Sequence, residues 1–146
     1  MSSVPWCTGP VHPWGPTAPT RPRLALSLRR LGAAVDERWP HRRRTSDGWI
    51  GDARHQGEVS DHNPDARGIV HAIDVTADGI QPEVLLVAAM NHPSVHYVIW
   101  DRTIYSARVG FRPEHYDGPD PHTSHLHISI AHYPAAERSA QPWRLG

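Results

Sequence analysis

The chain has no lysine, a single cysteine and no net charge. Nowhere does it carry an apolar run close to the roughly twenty residues that a bilayer span requires. With Cys7 alone, neither an intramolecular disulfide nor a thiolate metal cluster can form, so any metal must be held by histidine and carboxylate. Fifteen basic residues, all arginine, balance fifteen acidic ones. No global field therefore favours nucleic acid or an anionic membrane surface. The N-terminus lacks a positive region followed by a hydrophobic segment, so no Sec-type signal peptide is expected and the protein is read as soluble. At 146 residues the chain fits one domain.

What it does have is histidine, twelve in all. Histidine is the commonest metal ligand and titrates near neutral pH. His122, His125 and His127 crowd one short stretch, and His62 and Asp74 lie well upstream. Together these are the ligand types of a zinc site with an open position.

Residues 1–22 carry Pro5, Pro10, Pro13, Pro16, Pro19 and Pro22 and are expected to form a flexible arm, because they offer too little apolar surface to offset the entropy of ordering. The domain is then 23–146. Leu24, Leu28, Leu31, Val35 and Trp39 recur at spacings of three and four, which predicts a helix over 24–38 ended by Pro40. The run Arg42-Arg43-Arg44 reads as a solvated loop, with a small anion contact as the functional alternative. Residues 45–64 read as a long ordered loop, Ile69 to Thr76 as a strand, and Pro82 to Asn91 as a second helix. Val95 to Trp100 and Thr103 to Ser106 read as a hairpin around Asp101-Arg102. Residues 110–124 read as a polar loop, Leu126 to Ala131 as a final strand, and the tail from Pro134 as an edge cover.

Strand parity sorts the histidines. Alternate side chains share a face, so His125, His127 and Ser129 point one way while Leu126, Ile128 and Ile130 point into the core. By the same test His71 and Asp74 face opposite ways and do not share a metal. Asp74 sits in an apolar strand and needs a cation to stay ionised. A zinc ion would serve, and Arg54 or Arg67 are the alternatives. His62 lies in the loop Ser60-Asp61-His62-Asn63-Pro64, where Ser60 or Asp61 is placed to support it from behind.

Ser60-Asp61-His62, Ala72-Ile73-Asp74 and His125-Leu126-His127, in that order, resemble the three motifs of one zinc peptidase superfamily. It includes D-alanyl-D-alanine carboxypeptidases, the penicillin-insensitive murein endopeptidase and the hedgehog signalling domain. The resemblance spans roughly 48–130, and His122 is similar to the extra histidine of the murein endopeptidase branch. Two features depart from the pattern. The interval from His62 to Asp74 is wider, and Asp120 and His122 stand where many members place a glutamate base.

The resemblance implies zinc on His62, Asp74 and His127, with His125 stabilising the oxyanion or orienting the water, His122 moving the proton and Asp120 in reserve for that role. It implies peptidoglycan peptides as substrate, acted on at the cell wall after export or lysis. Arg54, His55 and Arg102 are candidates to bind a substrate carboxylate. The expected fold is α+β: a small, mainly antiparallel sheet with both helices on its apolar face and the site on the other, in a monomer. Two rival classes remain. One is a zinc-containing binding module without turnover. The other is a two-histidine phosphoesterase, whose signature Leu126-His127-Ile128-Ser129-Ile130 fits once, although that fold needs it twice.

Overall fold

In the computed structural model, which describes residues 21–50 and 60–146, the apolar stripe that begins at Leu24 divides between two elements. Arg23–Leu24 forms strand β1, parallel to β2 (Ile69–Val70). Helix α1 runs only from Leu26 to Arg38. The difference from the expected start has a backbone cause. The amides of Arg23 and Ala25 donate to the carbonyls of Gly68 and Val70, at 2.7 and 3.0 Å, a pairing that keeps the chain extended through Ala25 (ψ 142°), so the helix opens at Leu26. Leu28, Leu31, Val35 and Trp39 are buried as the spacing predicts. The arm expected over 1–22 lies outside the described residues apart from Arg21 and Pro22.

The main sheet has five strands in the order β3-β7-β4-β5-β6, and every pairing in it is antiparallel. The strands are β3 (Ala72–Thr76), β4 (Val95–Trp100), β5 (Thr103–Ser106), β6 (Pro113–His115) and β7 (His125–Ile130). The expected single strand over 69–76 is thus two, broken at His71, and the segment expected as a polar loop contributes the exposed edge strand β6. The second helix, α2, is Pro82–Met90, with the proline in its first turn where a missing N–H costs nothing.

Strand β7 lies inside the sheet, between β3 and β4, and all of its residues are buried. Leu126, Ile128 and Ile130 are fully buried and join Leu28, Leu31, Leu85 and Ala89 of the two helices in one core cluster. Each such aliphatic side chain contributes about 1.5–3 kcal/mol relative to exposure. The tail does more than cover an edge. It forms a short helix, α3 (Pro134–Arg138), and then buries Trp143 and Leu145 in the same core. The Trp143 indole N–H donates to the Ser27 carbonyl at 3.0 Å, which satisfies the one polar atom of the ring. No described helix is long and apolar enough to cross a membrane.

Two irregularities shape the opposite face. Between Val95 and Tyr97 the pairing of β4 with β7 slips by a bulge at His96. In a regular strand Val95 and Tyr97 would share a face. The bulge lets Val95 enter the core beside Ile130 while Tyr97 stands with Ser129 on the other side. At the hairpin tip, Asp101 and Arg102 both have positive φ (47° and 62°), the conformation of tight turns that match strand twist. Their amides donate to the carbonyls of His122 and Pro121, each at 2.8 Å, so the turn anchors the loop that carries His122.

Candidate metal centre

The register of β3 against β7 sets Asp74 opposite His127 and Thr76 opposite His125, so these side chains occupy one face. His62 arrives from the loop before β2. Its Nε2 stands 3.1 Å from His127 Nδ1 and 3.2 Å from Asp74 Oδ1, and His127 Nδ1 is 3.2 Å from the same oxygen. The three ligand atoms thus form a nearly equilateral triangle. Donor atoms held about 2.0–2.1 Å from a tetrahedral zinc stand about 3.3 Å apart, so the triangle has the size of one tetrahedral face.

The far side of each imidazole is also tied. His62 Nδ1 faces the Trp49 carbonyl at 3.1 Å, and a carbonyl only accepts, so Nδ1 donates and the neutral ring presents a lone pair at Nε2. His127 Nε2 lies 2.7 Å from the buried Ser129 hydroxyl. With that oxygen accepting, His127 Nδ1 is a lone pair as well. Two lone pairs and a carboxylate oxygen then converge with no donor among them, an arrangement that calls for a proton or a cation. The titration behaviour agrees. Burial pushes the Asp74 carboxyl up, but His127 and His62 outweigh it and hold it well below the usual carboxylate range. Burial pulls the His62 imidazole down, yet Asp74 and the Trp49 carbonyl prevail and its pKa is raised. These residues fit a divalent cation with three protein ligands.

In the arginine run Arg43 and Arg44 are exposed, as expected of a solvated loop, and Arg42 alone turns inward to fix the segment before Trp49. Arg42 is buried and reaches Asp36 and Asp47 at 2.8 and 2.7 Å. Asp47 in turn accepts from the Thr76 amide and hydroxyl, both at 2.8 Å. One residue on, Gly48 and Asp74 exchange backbone hydrogen bonds of 3.2 and 2.7 Å. The loop is therefore sewn to β3 immediately before Trp49.

His125 and His122 flank the triad. The ring centroid of His122 lies 4.8 Å from that of His125 and 5.7 Å from that of His127. His125 Nε2 faces Asp120 Oδ2 at 3.5 Å and Asp74 Oδ2 at 3.9 Å, and its Nδ1 meets Ser124 Oγ at 2.9 Å. His122 adopts a left-handed backbone (φ 55°), strained for a residue with a side chain. Asp120 compensates by accepting from the His122 amide at 2.9 Å, and its carbonyl accepts from His122 Nδ1 at 2.7 Å. That leaves Nε2 of His122 unprotonated while the ring is neutral. Burial lowers its pKa, and the neighbouring imidazoles lower it further against the opposing pull of Asp120.

The remaining candidates are dispersed. Arg54 and His55 lie outside the described residues. Arg102 has an exposed side chain that reaches only Asp101 among the described residues, at 3.4 Å. Arg67 does not serve Asp74; it pairs with Asp65 and Glu137. His71, which parity set on the face away from Asp74, is fully buried and meets Glu137 at 2.5 Å. Asp65, His71 and Glu137 are also close enough to bind an ion, but the Arg67 guanidinium already contacts both oxygens of Glu137, at 2.6 and 3.1 Å, and supplies the positive charge. His122-Thr123-Ser124 bends rather than running as a strand, so it does not provide a second copy of the His127-Ile128-Ser129 arrangement.

Reading the sequence alone overlooks Tyr97, whose ring stacks on His127 at 5.4 Å and 14°. Only the bulge puts it there. Ser129 could have been found, since it shares the parity of His127. No protein-family model matches this chain, nor does any curated protein or solved structure.

Proposed function

We propose that the chain is a zinc-dependent peptidase that cleaves peptide bonds of bacterial peptidoglycan. The observation that carries this reading is the triangle of His62 Nε2, Asp74 Oδ1 and His127 Nδ1, with edges of 3.1–3.2 Å and both imidazoles braced from behind. Zinc held by these residues would supply a Lewis acid and a bound water acidified to a pKa of about 7.

The flanking side chains account for the rest of the chemistry. His122 Nε2 takes the proton of the attacking water as its oxygen adds to the scissile carbonyl carbon, while Nδ1 stays committed to the Asp120 carbonyl. A lowered pKa keeps this imidazole a free base at neutral pH. His125 Nε2, turned toward Asp120 and Asp74, carries a proton and donates it as a hydrogen bond to the carbonyl oxygen as that oxygen gains charge. The proton on His122 then passes to the departing amine as the C–N bond breaks. The choice of peptidoglycan rests on the motif resemblance of Ser60-Asp61-His62, Ala72-Ile73-Asp74 and His125-Leu126-His127.

Purified protein should contain about one zinc per chain, and incubation with peptidoglycan should release fragments whose masses identify the cleaved bond. A folded protein that takes up no zinc at neutral pH would overturn the metal reading. Zinc uptake with intact peptidoglycan would overturn the peptidase reading.

A further inference from the structure

Beside the triad lies a cleft of about 390 Å³ lined by Ser60, Asp61, His96, Tyr97, Ala131 and His132. It adjoins the site through two of these residues. Asp61 immediately precedes His62, and the Tyr97 ring lies on that of His127. Its volume falls in the range of small-ligand pockets and accommodates one long amino-acid side chain.

The polar groups of the described lining are one carboxylate, two hydroxyls and two imidazoles. Asp61 is the only carboxylate among the described lining residues, and none of them is arginine. The Asp61 side chain is 18% exposed, and its Oδ1 meets His132 Nε2 at 2.8 Å. Burial drives the Tyr97 phenol up to about 12, so it stays neutral. Its hydroxyl has a single proton, which Asp61 accepts, while the Ser129 hydroxyl donates to its oxygen. A carboxylate offers about four acceptor positions, so these contacts leave it capacity for a further donor. The walls are rings: Tyr97 and His96 meet edge to face at 5.3 Å, and His132 stands across from them. A carboxylate beside the phenol ring of Tyr97 suits a cation.

The wall is also fixed from behind. His132 stacks on His71 with centroids 3.9 Å apart and an interplanar angle of 11°. His71 is held by Glu137, and Glu137 by the fork of Arg67. The buried ion-pair network that is no metal site thus has a place in the molecule, since it sets the ring that orients Asp61.

We propose that this cleft is a subsite for a substrate ammonium group, received by Asp61 between the rings of His96, Tyr97 and His132. The assignment rests on the peptidase reading and narrows it to peptides with a primary amine on a residue flanking the cleaved bond. That amine is either the α-amine of a chain end or the side-chain amine of a diamino acid.

Three probe peptides separate the possibilities: L-Lys-D-Ala-D-Ala acetylated on Nα, on Nε, or on both. Their affinities are to be measured calorimetrically on the zinc-loaded full chain carrying His122→Ala, which slows turnover. At least one mono-acetylated peptide should bind about tenfold or more tighter than the diacetyl peptide, the effect expected of a hydrogen bond to a charged group. Which one does so identifies the amine. The isosteric change Asp61→Asn should level the three. Equal affinities before that change, no binding of any probe, or a preference that survives Asp61→Asn would each overturn the subsite. Parallel incubation of the unmutated protein with the same peptides keeps the two readings apart. An ammonium preference without cleavage of any probe removes the peptidase reading and leaves the subsite standing.

Discussion

Replacing Ser129 with alanine removes one oxygen that touches no metal ligand atom, and it should still weaken metal binding. Ser129 is fully buried, and its hydroxyl lies 2.7 Å from His127 Nε2 on the side of the ring away from Asp74. Without it, Nε2–H is left in a site where His127 is only 6% exposed. An unpaired buried donor costs about 1–3 kcal/mol. The ring can escape by moving its proton to Nδ1, which then donates to Asp74 Oδ1 across the existing 3.2 Å. That tautomer relieves the metal-free protein but occupies the nitrogen that the ion needs. Loss of such a supporting partner typically weakens metal affinity about 10–100-fold, or about 1.4–2.7 kcal/mol. Competition against a chromophoric chelator at neutral pH measures the affinity, and urea unfolding of the metal-free protein measures the structural cost separately. A folded Ser129→Ala protein with unchanged zinc affinity would refute the inference that the Ser129 hydroxyl sets the His127 tautomer.

Three further outcomes are expected. His122→Ala should lower the rate of peptidoglycan cleavage about 10²–10⁴-fold with zinc content unchanged, as fragment release and elemental analysis would register. Leu126→Ala, at a fully buried position on the core side of β7, should cost about 2–5 kcal/mol in denaturant unfolding and leave the ligand face in register. Asp36 and Asp47 are pushed up by burial, but hydrogen bonds and charge from Arg42, together with Arg44 for Asp36 and Thr76 for Asp47, prevail and both pKa values fall below 3.8. Their contribution is therefore complete above pH 3.8 and is lost as pH drops through the lower folded values. Asp47→Asn should flatten that part of the pH–stability curve measured by thermal unfolding, and an unaltered acid limb would count against the Arg42 network.

Periodicity made the main elements legible, because α1, α2, the β4–β5 hairpin and β7 each bury a face and burial imprints a period. The same parity put His125 and His127 on one side and excluded His71. What stayed hidden depends on backbone pairing across long sequence distances. β1 takes Leu24 from the helix because the Gly68 and Val70 carbonyls are within reach. β6 has no apolar face to announce it, since all its residues are exposed. The bulge at His96 is a matter of register, so Tyr97 reads as an ordinary strand residue until β7 is beside it. Trp143 and Leu145 reach the core from a segment too short and irregular to show a period. At the site, side-chain types and parity nominated the late histidines with His62 and Asp74, and the motif resemblance narrowed the set to His62, Asp74 and His127. The Trp49 carbonyl that orients His62 belongs to the backbone, which no side-chain motif reveals.

The position of β7 between β3 and β4 has a consequence for the order in which the protein can assemble. β3 and β4 do not pair with each other; each pairs with β7. During synthesis β4 can pair with β5 as soon as that strand emerges, but β3 and the β4–β5–β6 ribbon stay apart, and their apolar faces wait for Leu126, Ile128 and Ile130. Such distant pairings form late, and the unpaired edges that precede them invite association with other chains. The triangle of His62, Asp74 and His127 therefore cannot close before β7 has emerged, since His127 is one of its corners.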